Sequence, residues 1–222
     1  MQLLEHELKF RLAAHRTRLI RRWLESACDA DPLFPADEVS TIYFDTPGFD
    51  FLREKTDGHT YKRKVRMRWY GAGELTFLEI KYRLGAARDK LRIESPASSR
   101  SVVRRHLEDG SLTTLLEPLR MSGGQLPATL MPVLTIAFQR SRYVDRASGS
   151  RIAVDEQIRV PAVNRRYFPG VRPDPLPFAV VEVKGPSTRL PPGLSAILDL
   201  GGSRASISKY SECCRRLTGS NP

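Results

Sequence analysis

Ionic side chains recur at every second position through residues 62–94. Lys62, Lys64, Arg66 and Arg68 alternate with Arg63, Val65, Met67 and Trp69; Glu79, Lys81 and Arg83 alternate with Leu78, Ile80 and Tyr82; Arg88, Lys90, Arg92 and Glu94 share one parity of a third run. Shorter echoes are Glu5/Glu7/Lys9 near the start and Glu182/Lys184 in VVEVKG. A period of two is the signature of a strand with one charged face. Guanidinium and ammonium groups donate to phosphate oxygens, arginine in bidentate fashion. Isolated carboxylates among them suit Mg²⁺ or Mn²⁺ held jointly with phosphate oxygens. Phosphoryl transfer asks mainly for positioning and charge neutralisation, so it needs no nucleophilic side chain. A half-exposed sheet with one solvated face produces the same alternation. A solvated face usually mixes both charges with small polar residues, whereas this one is cationic with a few single glutamates.

These residues must be positioned by strands. An even-length connection through Gly71-Ala72-Gly73-Glu74 sets Arg66 opposite Glu79 and Lys64 opposite Lys81; an odd one puts them on opposite faces. Further strands are expected over Leu4–Phe10, 39–45, 87–94, 133–145, 150–160 and 177–185. A helical stripe runs through Leu12, Leu19, Ile20, Trp23, Leu24 and Ala27, and helical spacing continues from Ser98 to about Met121. A short helix closes the chain. The count is about eight antiparallel strands with two or three helices, an α+β chain. Closure into an eight-stranded barrel, helices outside, would remove exposed strand edges and turn the charged faces inward. Asp155 and Glu156 read ambiguously, because strand ends often carry such charges.

With 222 residues and 41% hydrophobic content the chain can build one sizeable core, so a single domain over 1–222 is expected. The net charge of +11 favours a polyanionic partner: nucleic acid, an anionic membrane or a phosphate-rich small molecule. Nucleic-acid platforms interleave stacking aromatics with basic residues, and the central hairpin has only Tyr70 and Phe77 on its ionic face, so nucleic acid is not expected. There is no GxxxxGK[ST], no GxGxxG and no zinc spacing. Cys28, Cys213 and Cys214 read as free thiols of a reducing compartment. The N-terminus MQLLEHELKFRLAAHR lacks a signal peptide's apolar region and no run approaches a membrane span. A cytoplasmic protein follows, with membrane association only through a partner.

The ordered segments ELKF (7–10), STIYFDT (40–46), KVRMRWY (64–70), LEIKYR (78–83), DKLR (89–92), P-x-x-x-x-x-F-Q-R (132–140), RIAVDE (151–156), VEVKG (181–185) and SKY (208–210) resemble the VTC domain, a polyphosphate polymerase domain among the triphosphate tunnel metalloenzymes, relatives of the CYTH domains. The resemblance implies a closed antiparallel tunnel with basic walls, transfer of the ATP γ-phosphate onto inorganic polyphosphate, and dependence on Mn²⁺ or Mg²⁺. It implies catalytic roles for Arg66, Arg68, Lys81 and Arg140, phosphate binding by Lys9, Lys90, Ser208 and Lys209, and metal binding by Glu182 with Glu7 and Glu79 in support. Glu5-His6-Glu7-Leu8-Lys9 is also similar to the E-x-E-x-K signature of CYTH triphosphatases. A hydrolase acting on ATP or triphosphate therefore stands beside the polymerase, as does a non-catalytic polyphosphate- or RNA-binding module.

Overall fold

The computed structural model describes residues 5–170 and 174–219. Its elements run β1 His6–Ala13, α1 Thr17–Ala27, β2 Cys28–Ala30, β3 Ala36–Asp45, α2 Asp50–Thr56, β4 Tyr61–Tyr70, β5 Thr76–Leu84 and β6 Ala87–Glu94. Then come α3 Ser99–Val103, α4 Ser111–Thr114, α5 Glu117–Met121, β7 Met131–Asp145, β8 Arg151–Val163, β9 Phe178–Gly185, α6 Ala196–Asp199, β10 Ser203–Arg204 and α7 Lys209–Thr218. The protein is α+β, with a large antiparallel sheet and helices. It divides into two compact units. The first takes the chain up to Glu38, Phe138–Ile158 and Pro175–Ser208; the second takes Val39–Ala137, Arg159–Asp174 and the segment from Lys209.

In the first unit the strands run β10-β1-β9-β8, and β2 pairs with the end of β7. Alternation along β1 sends Leu8, Phe10 and Leu12 to one face, where Ile20 and Leu24 of α1 meet them together with Ile152, Val154, Val181 and Val183. Glu7, Lys9 and Arg11 take the other face. The helical stripe read from the sequence needs correction at two places. Leu12 belongs to β1, because a single 3-10 turn at Ala14–Arg16 separates strand from helix, and Leu19 is 53% exposed. The helix phase is set by Thr17, Ile20 and Leu24, which are buried.

The second unit is a meander, β3-β4-β5-β6. Ile42, Phe44, Val65, Met67, Trp69, Leu78 and Ile80 form its apolar face, covered by Phe51 of α2 and by Val102, Leu112, Leu116 and Leu119 of α3, α4 and α5. Residues 98–121 make three short helices rather than one run. Gly110 stands at the N-cap of α4, and Pro118 in the first turn of α5 has no N–H to continue a preceding helix. The β4–β5 connection is of the even kind, so Arg66 faces Glu79 and Lys64 faces Lys81. Gly71 takes a φ of 50° in this turn, a value glycine tolerates without strain.

Among the described residues there are ten strands where about eight are expected; β2 and β10, three and two residues long, are too short for alternation to show. Closure of the barrel is not detected: among the described pairings β6 is joined only to β5 and β10 only to β1. Leu4, expected in the first strand, lies outside the described residues.

The corrected helix phase has a measurable consequence. Leu24→Ala, at a fully buried position, should cost about 2–5 kcal/mol, whereas Leu19→Ala should stay within about 0.5 kcal/mol. Urea denaturation of both variants checks this; equal losses would mean the helix is rotated.

Candidate functional site

Pairing of β4, β5 and β6 stacks the ionic residues of the second unit into cross-strand rungs. Lys62, Arg83 and Arg88 form one, and Lys64, Lys81 and Lys90 the next. Arg66, Glu79 and Arg92 form a third, which Tyr43 of β3 extends. Arg68 and Phe77 lead the fourth, beside Thr41. Rungs on one face lie about 6.6–6.8 Å apart along a strand, and neighbouring strands about 4.8 Å apart. Two successive rungs are thus wholly cationic, where like charges directly opposite each other are destabilising.

Glu79 is the counter-ion that makes the third rung tenable. Its Oε2 accepts from Arg66 Nε at 2.5 Å, and its Oε1 lies 2.8 Å from Lys90 Nζ and 3.6 Å from Arg92 Nε. The Glu79 side chain is 1% exposed and that of Arg66 9%. Burial opposes ionisation of Glu79, but Arg66, Arg68 and Lys90 outweigh it and hold the carboxyl well below the usual carboxylate range. Arg68 is different. It is buried, donates from Nε to Thr41 Oγ1 at 3.0 Å, and has no carboxylate ion partner among the described residues. Burial and the adjacent Arg66 lower its pKa. Burial works against the Tyr70 phenolate, yet Arg68 and Arg92 outweigh it and draw the Tyr70 pKa down. Arg92 also lies over the Phe77 ring at 3.9 Å.

The first unit carries a second ionic group. Lys9 faces Glu182 across β1–β9, and its Nζ is 3.3 Å from Glu182 Oε1, 3.5 Å from Glu7 Oε1 and 3.4 Å from the Ile207 carbonyl oxygen. Burial disfavours the Lys9 ammonium, but Glu182 and Glu7 more than offset this and raise its pKa. Arg140 of β7 donates from Nε and Nη2 to the two oxygens of Asp155 at 2.5 and 2.6 Å, and its Nη2 is 3.5 Å from Glu182 Oε2. Asp155 is fully buried.

Lys9, Glu7, Glu182 and Arg140 are therefore brought together in the first unit. Arg66, Arg68, Glu79, Lys81 and Lys90 share one face in the second. Ser208 is buried at the end of the first unit's last segment, and Lys209 opens α7 in the second. Asp155, Arg92 and Tyr43 were not singled out from sequence. Arg92 lay one step along an alternation already recognised. Asp155 had its signal in the parity of Arg151-Ala153-Asp155, hidden by its reading as a strand-end charge.

Among the described residues no three Asp, Glu, His or Cys side chains group as a metal cage. Glu7 and Glu182, both on the Lys9 ammonium, fit as a pair of hard oxygen ligands for Mg²⁺ or Mn²⁺ that would be completed by phosphate oxygens. Glu79 is held more tightly by its cations, at 2.5 Å from Arg66 and 2.8 Å from Lys90, than Glu182, whose oxygens lie 3.3 Å from Lys9 and 3.5 Å from Arg140.

The VTC domain family model matches residues 4–218. None of the curated proteins matches the chain. Among solved structures, a candidate adenylyl cyclase from Hippeastrum, HpAC1, reported with a dominant triphosphatase activity, is similar at 15% identity. It superposes with a TM-score of 0.59, covering 98% of this chain and 97% of that one. The PH1819 protein of Pyrococcus horikoshii is similar at 14% identity and TM-score 0.51, over 95% and 99% of the two chains. A candidate adenylate cyclase of Vibrio parahaemolyticus is similar at 13% identity and TM-score 0.50, over 96% and 99%. At these identities the likeness is one of fold.

The depressed Glu79 pKa makes stability pH-dependent in a stated direction. Its ionisation contributes fully above the ordinary value of 4.5 and is lost as pH falls from there toward the folded-state pKa. Glu79→Gln should cost about 3–5 kcal/mol at neutral pH, because Arg66 is left buried without its carboxylate. It should also flatten the loss of stability below pH 4.5 relative to wild type. Denaturation curves from pH 3 to 7 (roughly the carboxylate range) read both effects, and parallel pH profiles would refute the assignment.

Proposed function

The chain belongs to the VTC domain family, with a CYTH-like triphosphate tunnel fold, and from that footing we propose that it is a metal-dependent polyphosphate polymerase that transfers the γ-phosphate of ATP onto a growing polyphosphate chain. One observation carries the reading: Arg68 is a buried guanidinium with only hydroxyl partners, beside a second buried arginine whose counter-ion is already shared. An uncompensated buried charge costs several kcal/mol, and a phosphate group on this face removes that cost. The two all-cation rungs beyond it favour an extended chain of phosphates over a single compact anion.

In this reading Arg66, Arg68, Lys81 and Arg140 neutralise charge developing on the transferred phosphoryl group. Lys9, Lys90, Ser208 and Lys209 hold nucleotide phosphates or guide the product. Glu79 keeps Arg66, Lys90 and Arg92 in place, and Asp155 fixes the plane of Arg140. Glu182 and Glu7 would hold Mn²⁺ or Mg²⁺, which when bound would help neutralise the charge of the phosphates. A closed barrel around the ionic faces and a cytoplasmic location belong to the same reading. No helix among the described residues is long and apolar enough to cross a membrane.

A triphosphatase is the second reading, favoured by the Glu5-x-Glu7-x-Lys9 spacing and by the activity reported for the Hippeastrum protein. Incubation of the purified protein with ATP and Mn²⁺ separates the readings. Long polyphosphate on a gel is the expected product; inorganic phosphate alone would transfer the assignment to the hydrolase. Polyanion binding with steep salt dependence and no turnover would leave a binding module.

Arg66→Ala should lower turnover by about 10²–10³-fold while the chain stays folded; full activity would sink the proposal. Arg68→Gln should separate function from stability. Removing a buried charge without a carboxylate partner should raise stability by about 1–4 kcal/mol as turnover is lost. Thermal melts and the same gel assay read the two effects, and a variant both less stable and fully active would contradict the role given to Arg68.

A further inference from the structure

The strand β8 breaks its own pattern at one residue. Ile152 and Val154 are buried on the face that packs against α1, and the same parity assigns that face to Glu156. Asp155, one residue earlier, is on the ionic face with Arg140. Gln157, the next residue, adopts a left-handed φ of 51°. A carboxylate thus stands at a position where the alternation calls for an apolar side chain, on the opposite side of the sheet from Lys9 and Glu182.

Its partner is Arg21 of α1, whose Nη1 donates to Glu156 Oε1 at 2.7 Å and whose Nη2 is 3.9 Å from Glu25 Oε1. Arg21 Nε is buried and has no hydrogen-bond partner, the one such side-chain atom among the described residues. Arg18 and Arg22 lie one turn away and adjacent on the same helix, and neither has an ion partner among the described residues. Arg18, Arg21, Arg22, Glu25 and Glu156 together line a cavity of about 410 Å³. Like charges three and four residues apart on a helix repel, and three guanidiniums facing two carboxylates around one cavity leave a net positive charge. Glu25 and Glu156 compensate Arg21 only.

We propose that this cavity is a second phosphate-anion site, separate from the two ionic groups described above and lying on the helix-covered face of the first unit. Arg18 and Arg22 grip the anion's oxygens, and Arg21, held in place by Glu156, adds its positive charge. The ligand class is a multiply charged phosphate, either free orthophosphate or a short phosphate chain. The volume lies in the range of small-ligand pockets, which favours a small anion over the flat contact of an acidic protein segment. The assignment is independent of the reaction proposed above.

Isothermal titration of the full chain tests it, in an Arg66→Ala/Arg140→Ala background that disables the other two ionic groups, with tripolyphosphate and orthophosphate as probes. One binding site is expected to remain. Adding Arg18→Gln and Arg22→Gln, both exposed and expected to leave the fold intact by circular dichroism, should weaken it about tenfold or more. Stronger binding of tripolyphosphate identifies a chain, and stronger binding of orthophosphate identifies the free ion; either supports the site. Absence of a residual site, binding unchanged by Arg18→Gln/Arg22→Gln, or preference for an acidic peptide over both phosphates would overturn the proposal. Wild-type turnover with loss of this binding in the Arg18→Gln/Arg22→Gln protein would leave the polymerase reading untouched, so the two stand or fall separately.

Discussion

Placing Arg66 and Glu79 opposite each other inside the second unit commits every other residue of the β4–β5–β6 meander to a face. The pair is short and almost completely removed from water, so its desolvation is repaid only while the strands hold that register. A slip of one residue would bury the ionic series against Leu112, Leu116 and Leu119 and expose Val65, Met67, Leu78 and Ile80. Apolar packing on one face and the ion pair on the other therefore specify the same alignment. Their agreement is what allows two wholly cationic rungs to be carried next to it.

The first unit meets the same electrostatic problem with a different balance. Its ionic face sets Lys9 and Arg140 against Glu7, Glu182 and Asp155, so these two cations have carboxylates nearby. The second unit instead leaves Arg68 buried on Thr41 with no carboxylate ion partner among the described residues. On the opposite face of the first unit's sheet, the Arg21–Glu156 pair shows that charge also reaches the seam between helix and sheet.

Much of this was legible in the residues. The alternation of KVRMRWY and LEIKYR carried strand identity, face assignment and, through the even connection at Gly71–Glu74, the pairing of Arg66 with Glu79. Glu182 announced itself as a carboxylate in an otherwise apolar strand. Less was legible where local signals are short or interrupted. The two smallest strands contain too few residues to alternate, Leu19 fits a helical stripe whose phase the preceding 3-10 turn resets, and the helical spacing of 98–121 conceals breaks at Gly110 and Pro118.

What the sequence by itself determined was which residues share a strand face and which charges that face bears, because both follow from a period of two along the chain. Which charges neutralise one another was decided by tertiary structure. Glu79 is seized by Arg66, Lys90 and Arg92, Asp155 orients Arg140 from a neighbouring strand, and Arg68 is left with hydroxyls. Ion pairing depends on separations of a few ångströms between residues far apart in the chain, and only the pairing of strands sets those.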